Sequence, residues 1–299
     1  LGLTDISYAQ AALLGLLQGL TEFLPVSSTA HMAIVPQLLL HMADPGAAFS
    51  AVVQLGPIVA IIAYFRQDLV GYVKGIARCP RPFHVPKEDI EARLGWFTLL
   101  GTLPLAVFGV LLEKRIDTVF RGLHVIAASL IVLAFVLWLA ERKGRQARSL
   151  ETLTLGQSQV IGWAQVLALV PGTSRSGVTI TAGLFQGLDR ESAARFSFLL
   201  SIPAITAAGG YKLIKVLHQT HLGPQAGPYL FGALVAGLLA YAVVKWFLGF
   251  VKTNSTAPFI AWRIGLGILL LVGLHNGWIH ERPPVDSNHG SAVMHPVRR

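Results

Sequence analysis

Charge is what this 299-residue sequence has least of: Asp, Glu, Lys and Arg make up 13% of it and apolar residues 53%, against roughly 25% charged in an ordinary soluble domain. That shortage excludes a disordered chain and a plain soluble domain. Cysteine is nearly absent. The one thiol, Cys79, lies between apolar segments, which excludes an intramolecular disulfide and any cysteine-based metal site. A basic stretch ahead of the first apolar segment is missing, and that segment runs on into Gln18 and Glu22, so no cleaved signal peptide is expected there. Nor is there a basic face interleaved with aromatics. The net charge of +9 is scattered between apolar segments, which argues against nucleic acid as a partner.

What is present is a series of windows free of charged residues, from Pro45 to Phe65, Leu94 to Leu112, Leu123 to Ala140, Phe196 to Tyr211 and Tyr229 to Val244. A helix needs about 20 mostly apolar residues to cross the hydrocarbon. The sequence therefore predicts an all-α polytopic membrane protein with six transmembrane helices, near 48–65, 94–112, 123–140, 196–212, 229–247 and 258–275. Two further apolar regions, 6–40 and 155–188, are interrupted midway, by Pro25-Val26-Ser27-Ser28-Thr29 and by Pro171-Gly172-Thr173-Ser174-Arg175-Ser176-Gly177. Irregular backbone at membrane depth is tolerated only where it lines a polar cavity. Both regions are read as re-entrant helical hairpins.

The same two regions begin an internal repeat offset by 146 to 147 residues. Gly15-Leu16-Leu17-Gln18 matches Gly162-Trp163-Ala164-Gln165, and Phe49-Ser50 ahead of Pro57-Ile58 matches Phe196-Ser197 ahead of Pro203-Ala204. The expected organisation is a single membrane domain over 1–299: a first repeat over 1–147, a second over 148–280 and a polar tail over 281–299. One hairpin plus three spans per half is an odd number of crossings, which turns the second half over and gives an inverted repeat with its site at the midplane. Segments 66–93, 141–157, 189–195 and 245–257 hold 14 Lys and Arg, against 8 in the segments of the other set. The richer set is assigned to the cytoplasm and both termini to the outside.

Gln18 and Glu22 are four apart and share a helix face; Ser28 and His31 are three apart just after the Pro25 break. A carboxylate and an imidazole at membrane depth are costly unless paired or hydrated, which marks Glu22 and His31 as functional. The second break offers Ser174, Arg175, Ser176 and Thr179, with Arg175 the only charge between Glu151 and Asp189. An always-protonated planar fork of donors in that setting demands an anion, and phosphate is the best geometric match. Serine and threonine after proline also suit N-caps, so each break should open a helix whose positive end faces the cavity. A serine beside an imidazole is an activated-nucleophile arrangement. Glu22, helped by Gln18, suits a divalent cation that neutralises a diphosphate. The whole fits a phosphate or pyrophosphate with an apolar body that slides in from the bilayer.

Gln18-Gly-Leu-Thr-Glu22-Phe-Leu-Pro25-Val-Ser27-Ser28-Thr-Ala-His31 and Pro171-Gly-Thr-Ser174-Arg175-Ser176-Gly-Val-Thr179 resemble the two signature motifs of the BacA-type undecaprenyl-diphosphate phosphatases, in order and separation as well as in residues. The resemblance implies hydrolysis of undecaprenyl diphosphate to the monophosphate and phosphate, recycling the carrier lipid of bacterial wall synthesis and conferring bacitracin resistance. It implies Gln18 and Glu22 as the (Glu/Gln)-x-x-x-Glu metal pair and Ser28 with His31 as nucleophile and base, with the attack left open between Ser27 and Ser28. Ser174, Arg175 and Thr179 come over as phosphate binders, and Ser27, Thr29 and Ser176 are counted with the substrate-binding set. Gln18 is the neutral variant of its position, and Ala30 stands where glycine is often found. The implied cofactor is a divalent cation, Mg²⁺ with Ca²⁺ as the alternative. The implied location is the bacterial inner membrane with the site opening to the external side, and the expected partners are the prenyl diphosphate lipid, the bilayer and a second copy in a homodimer.

The rival reading is a secondary transporter or flippase of an anionic prenyl-phosphate lipid, since inverted repeats with broken helices also build transporters. A carrier has no need of a nucleophile beside a base. Arg263, a few residues inside the last span, either lines the cavity or snorkels to the interface. The histidines at 275, 280, 289 and 295 are read as solvated, and Trp138, Trp246, Trp262 and Trp278 as interfacial anchors.

Overall fold

The structure, a computed structural model, describes residues 5–39, 46–112, 122–219 and 223–279. The tail with His280, His289 and His295 lies outside them. Among the described residues the chain is helical throughout, with one isolated bridge between Arg148 and Leu188 and no strand. The helices, in order, are α1 (Tyr8–Thr21), α2 (Ser28–Leu39), α3 (Gly46–Val53), α4 (Leu55–Tyr64), α5 (Arg66–Arg78), α6 (Ile90–Leu111), α7 (Leu123–Lys143), α8 (Leu155–Gln165), α9 (Arg175–Phe185), α10 (Arg190–Gln219), α11 (Ala226–Thr253) and α12 (Ala257–His275).

Five of these, α6, α7, α10, α11 and α12, are long and apolar enough to cross a membrane, and a sixth crossing is available from the bent stretch Ala48–Tyr64 plus Arg66–Arg78. This is a polytopic helical membrane protein. The bent stretch departs from the continuous span expected over 48–65. It breaks at Gln54, three residues before Pro57, whose ring nitrogen cannot donate to the preceding turn. It then turns by 72° at Phe65. The turn has a chemical reason: α5 carries Arg66, Asp68, Lys74 and Arg78, which are out of place in hydrocarbon. Asp68 is instead paired with Arg195 of α10 at 2.6 Å, and Gly71 and Gly75 let α5 lie directly against the start of α6.

Packing follows small residues, as it must where lipid removes the hydrophobic drive between helices. α1 lies along α11 with Gly15 on the backbone of Gly232 and Gly19 on Ala236, while α8 lies along α6 with Gly162 on Gly101. A Cβ at Gly15 or Gly162 would run into a carbonyl oxygen. Large apolar side chains such as Leu103, Val107, Val132, Phe135, Leu234, Leu238 and Ile268 are exposed along the spans, where acyl chains meet them.

The two interrupted regions match in detail. α1 opens with a capping box, Ser7 with Gln10, and α8 opens with another, Thr154 with Gln157. Each chain then breaks at its proline and resumes after a serine in the left-handed region, Ser27 at φ 72° before α2 and Ser174 at φ 68° before α9. The breaks are held to each other: Ser176 Oγ donates to the carbonyl of Leu24 at 3.0 Å.

Candidate active site

The first break brings three of the expected groups together. Gln18, buried near the end of α1, donates from Nε2 to Glu22 Oε2 at 2.8 Å, and Ser28, at the first turn of α2, donates its hydroxyl to the same oxygen at 2.9 Å. One carboxylate oxygen thus takes both donors, and Oε1 is left for other partners. Glu22 can sit there because α1 ends at it: its N–H still closes the last turn onto Gln18, while the chain beyond leaves the helix.

From the second break comes Arg175, the first residue of α9, which shares a narrow cleft with Glu22, Phe23, Ser176, Ser197, Phe198 and Ser201. Its Nε is sealed from solvent and has no hydrogen-bond partner. A buried donor on a guanidinium without an acceptor is a standing demand for an anion. Ser174 caps α9, its Oγ accepting from Gly177 N at 3.1 Å and lying 3.2 Å from Ser176 Oγ. The free N–H groups at the start of α9 add a positive end to the same side of the cleft. A second concavity, about 400 Å³ and lined by Leu100, Leu103, Val107 and Trp163 among others, is an apolar groove on α6 and α8 and holds none of the charged groups.

Other expected residues are placed elsewhere. Ser28 and His31 are not hydrogen-bonded to each other. His31 Nδ1 is 2.8 Å from the carbonyl of Ser27, and its Nε2 accepts from the indole N–H of Trp262 at 2.9 Å. Ser27 is buried and serves as the cap of α2, its Oγ 3.4 Å from Ala30 N. Thr29 is exposed. Thr179 is buried in the helix interface, its hydroxyl on the carbonyl of Arg175 at 2.8 Å and on Ser197 Oγ at 2.6 Å.

For the last span the expectation for Arg263 is corrected, and Trp262 gains a partner. Arg263 neither snorkels nor lines the cleft. It is fully buried, and its guanidinium lies within 3.5 Å of the carbonyls of Pro25 in the first break, Gly172 and Thr173 in the second, and Ser129 and Leu130 of α7. Broken helices leave carbonyls without partners, and a five-donor fork satisfies several at once. Trp262 donates to His31 as well as standing near the start of its span; Trp138 and Trp246 are exposed on their helices, and Trp278 is exposed just past the end of α12. Sequence reasoning also missed Ser197 and Ser201. They are four apart on α10 in a charge-free window, and the pairing of Ser50 with Ser197 in the internal repeat was the available signal.

Among the described residues no group of three or more His, Cys, Asp or Glu is placed to hold a metal. Among the described residues the cleft is lined by one carboxylate, Glu22, with the side-chain amide of Gln18 against it. That donor set fits a hard cation that takes its remaining ligands from phosphate oxygens and water, and does not fit an all-protein cage.

The sequence model of the family described as bacitracin resistance protein BacA matches residues 11–269. Relatives named undecaprenyl-diphosphatase include one from Myxococcus xanthus (strain DK1622), 48% identical over 286 residues that cover 94% of each chain. One from Arthrobacter sp. (strain FB24) is 46% identical over 281 residues, covering 92% of this chain and 97% of the relative. Another, from Chlorobium phaeobacteroides (strain BS1), is 44% identical over 281 residues, covering 90% and 98%. With a family match running from α1 into α12 and identity of this order over nearly its whole length, the chain belongs to the BacA family.

Proposed function

We propose that this protein hydrolyses undecaprenyl diphosphate to undecaprenyl phosphate and inorganic phosphate, the activity its relatives are named for, and so returns the carrier lipid to wall synthesis and lowers sensitivity to bacitracin. The observation that carries the chemistry is the Ser28 hydroxyl donating to Glu22 at 2.9 Å in the part of the molecule where Arg175 presents an unpartnered donor. Ser28 Oγ attacks the terminal phosphorus, forming a phosphoserine, while the bond from that phosphorus to the bridging oxygen breaks and undecaprenyl phosphate leaves. Glu22 takes the serine proton. Water then attacks the phosphoserine, releases phosphate, and the proton returns to Ser28. Arg175 and the N–H groups at the start of α9 hold the phosphate oxygens in line.

The geometry favours Glu22 over His31 as the proton acceptor, because both His31 nitrogens are occupied and Ser28 already points at the carboxylate. Glu22 Oε1 and the amide oxygen of Gln18 are the groups that would hold a divalent cation, Mg²⁺ or Ca²⁺. Such a cation supplies charge neutralisation of the diphosphate.

The membrane arrangement belongs to the same proposal. The paired capping boxes, the paired left-handed serines and the crossed packing of α1 on α11 and α8 on α6 support an inverted repeat. α1, α2, α8 and α9 have 14, 12, 11 and 11 residues. At 1.5 Å rise per residue each is only about 16 to 21 Å long, too short for a core of about 30 Å, which supports re-entrant hairpins meeting near the midplane. The Lys and Arg bias supports an inner-membrane orientation with the site opening outward.

The test is phosphate release from a long-chain prenyl diphosphate by the purified protein, with and without chelator. Release by the wild type and its loss in Ser28→Ala are expected; a carrier would release none in either.

A further inference from the structure

Trp262 lies in the second turn of α12, and 56% of its surface is exposed, so burial of the ring is not what fixes its place. What is specific is its N–H, aimed across to α2 and donated to His31 Nε2 at 2.9 Å, with the two rings parallel (1° between planes, 6.0 Å between centroids). On its other edge His31 Nδ1 is 2.8 Å from the carbonyl of Ser27. These partners fix the protonation pattern. An indole nitrogen only donates, so Nε2 presents its lone pair; a carbonyl only accepts, so Nδ1 carries the hydrogen. The neutral Nδ1–H imidazole satisfies both contacts. The other tautomer sets two hydrogens against each other at Trp262 and two acceptors against each other at Ser27.

The carbonyl that His31 reaches belongs to the residue ahead of Ser28, and that residue stands in the left-handed region, a conformation that a side chain with a Cβ keeps only when its surroundings hold it. At the second break the matching Ser174 is held by its own hydroxyl, a 3.1 Å cap onto Gly177 N. The corresponding cap at the first break, Ser27 Oγ to Ala30 N, is long at 3.4 Å. His31 has no polar counterpart at the second break, where Val178 occupies the matching position. The weaker cap and the added imidazole occur at the same break.

We infer that Trp262 is a positioning residue: its N–H holds His31 as the Nδ1–H tautomer, and His31 in turn pins the Ser27 carbonyl and so the approach of Ser28 to Glu22. The relay rests on the reading of Ser28 as the reacting group.

Trp262→Phe keeps the ring and removes the N–H. In full-length protein labelled with ¹⁵N-histidine and studied near pH 8, with His31 assigned by its absence in His31→Leu, the wild type should show Nδ1 protonated and Nε2 bare. Trp262→Phe should shift Nε2 and give a measurable Nε2–H population. In phosphate-release assays Trp262→Phe should lower kcat by roughly threefold to tenfold, the scale of one lost hydrogen bond, with KM unchanged. In a His31→Leu background, where the relay is already cut, it should cost nothing further. An Nε2–H tautomer in the wild type, or an equal loss in both backgrounds, would overturn the relay. If the wild type itself released no phosphate while the tautomer pattern held, the proposed reaction would fall and the contact would stand, so the two failures are distinct.

Discussion

At the first break Ser27, at φ 72°, is followed by Ser28; at the second, 147 residues on, Ser174, at φ 68°, is followed by Arg175. The two regions differ again nine residues earlier. Gln18 donates to Glu22, whereas its counterpart Gln165 faces a chain with Leu169 at the matching place, and both amide atoms of Gln165 are buried without a partner. The backbone device is the same twice, a helix N-terminus opened by a left-handed serine. The side chains divide the labour: a hydroxyl with its carboxylate on one side, a guanidinium on the other. In the proposed reaction the first break supplies the reacting hydroxyl and the second the fork that binds phosphate.

The division can be broken most severely on the reactive side. Ser28→Ala and Glu22→Gln should each lower turnover by about 10² to 10⁴, the range expected for loss of a nucleophile or a proton acceptor, with folding intact. Phosphate release measures it, and near wild-type rates in Ser28→Ala would move the attack to another group. On the binding side, Arg175→Lys keeps the charge and loses the fork, so activity should fall at least about tenfold, or ~1.4 kcal/mol.

Arg263 serves both breaks. A lysine there reaches fewer of the five carbonyls, so Arg263→Lys should cost roughly 1–3 kcal/mol for each oxygen left bare, read as a lower unfolding midpoint. An unchanged midpoint would mean the carbonyls find other partners. A smaller effect separates the two glutamines: Gln165→Met should be neutral or stabilising by up to about 1–3 kcal/mol, since it removes an unpaired buried amide, while Gln18→Met should lower activity. Equal behaviour of the two would erase the distinction.

Smallest is a contact away from both breaks. Asp89 caps α6 and is paired with Arg78 at 3.1 Å; that pairing, with the Ala92 N–H, holds its carboxyl below the usual carboxylate range. A lowered folded-state value means the contribution is present above the unfolded value and is lost as pH falls through the folded one. The melting difference between wild type and Asp89→Asn should therefore be present at neutral pH and close below about pH 4.

Much of this was legible in the sequence where one kind of residue decides the outcome. Charge-free windows located α6, α7, α10 and α11, and an apolar run broken only by Arg263 located α12, because hydrocarbon tolerates little else. The paired prolines and serines located both breaks for a similar reason. The 72° turn at Phe65 was not legible, because an apolar window ending beside an amphipathic helix has the same composition whether the chain runs on or bends. Trp262 was read as an anchor because a tryptophan near a span end fits the interface by default; only the position of α12 beside α2 reveals the histidine it holds. The occupation of His31 by Ser27 and Trp262, which leaves Ser28 to Glu22, is a matter of rotamer and tautomer that spacing does not fix.

In the proposed reaction the hydroxyl of the first break attacks the phosphate. The stereochemical course at the transferred phosphorus tests it most directly, with wild-type protein and a prenyl diphosphate made chiral at its terminal phosphate. Attack by Ser28 followed by attack of water is two in-line displacements, so overall retention of configuration is expected. Inversion would show a single displacement by water and would remove Ser28 as the nucleophile.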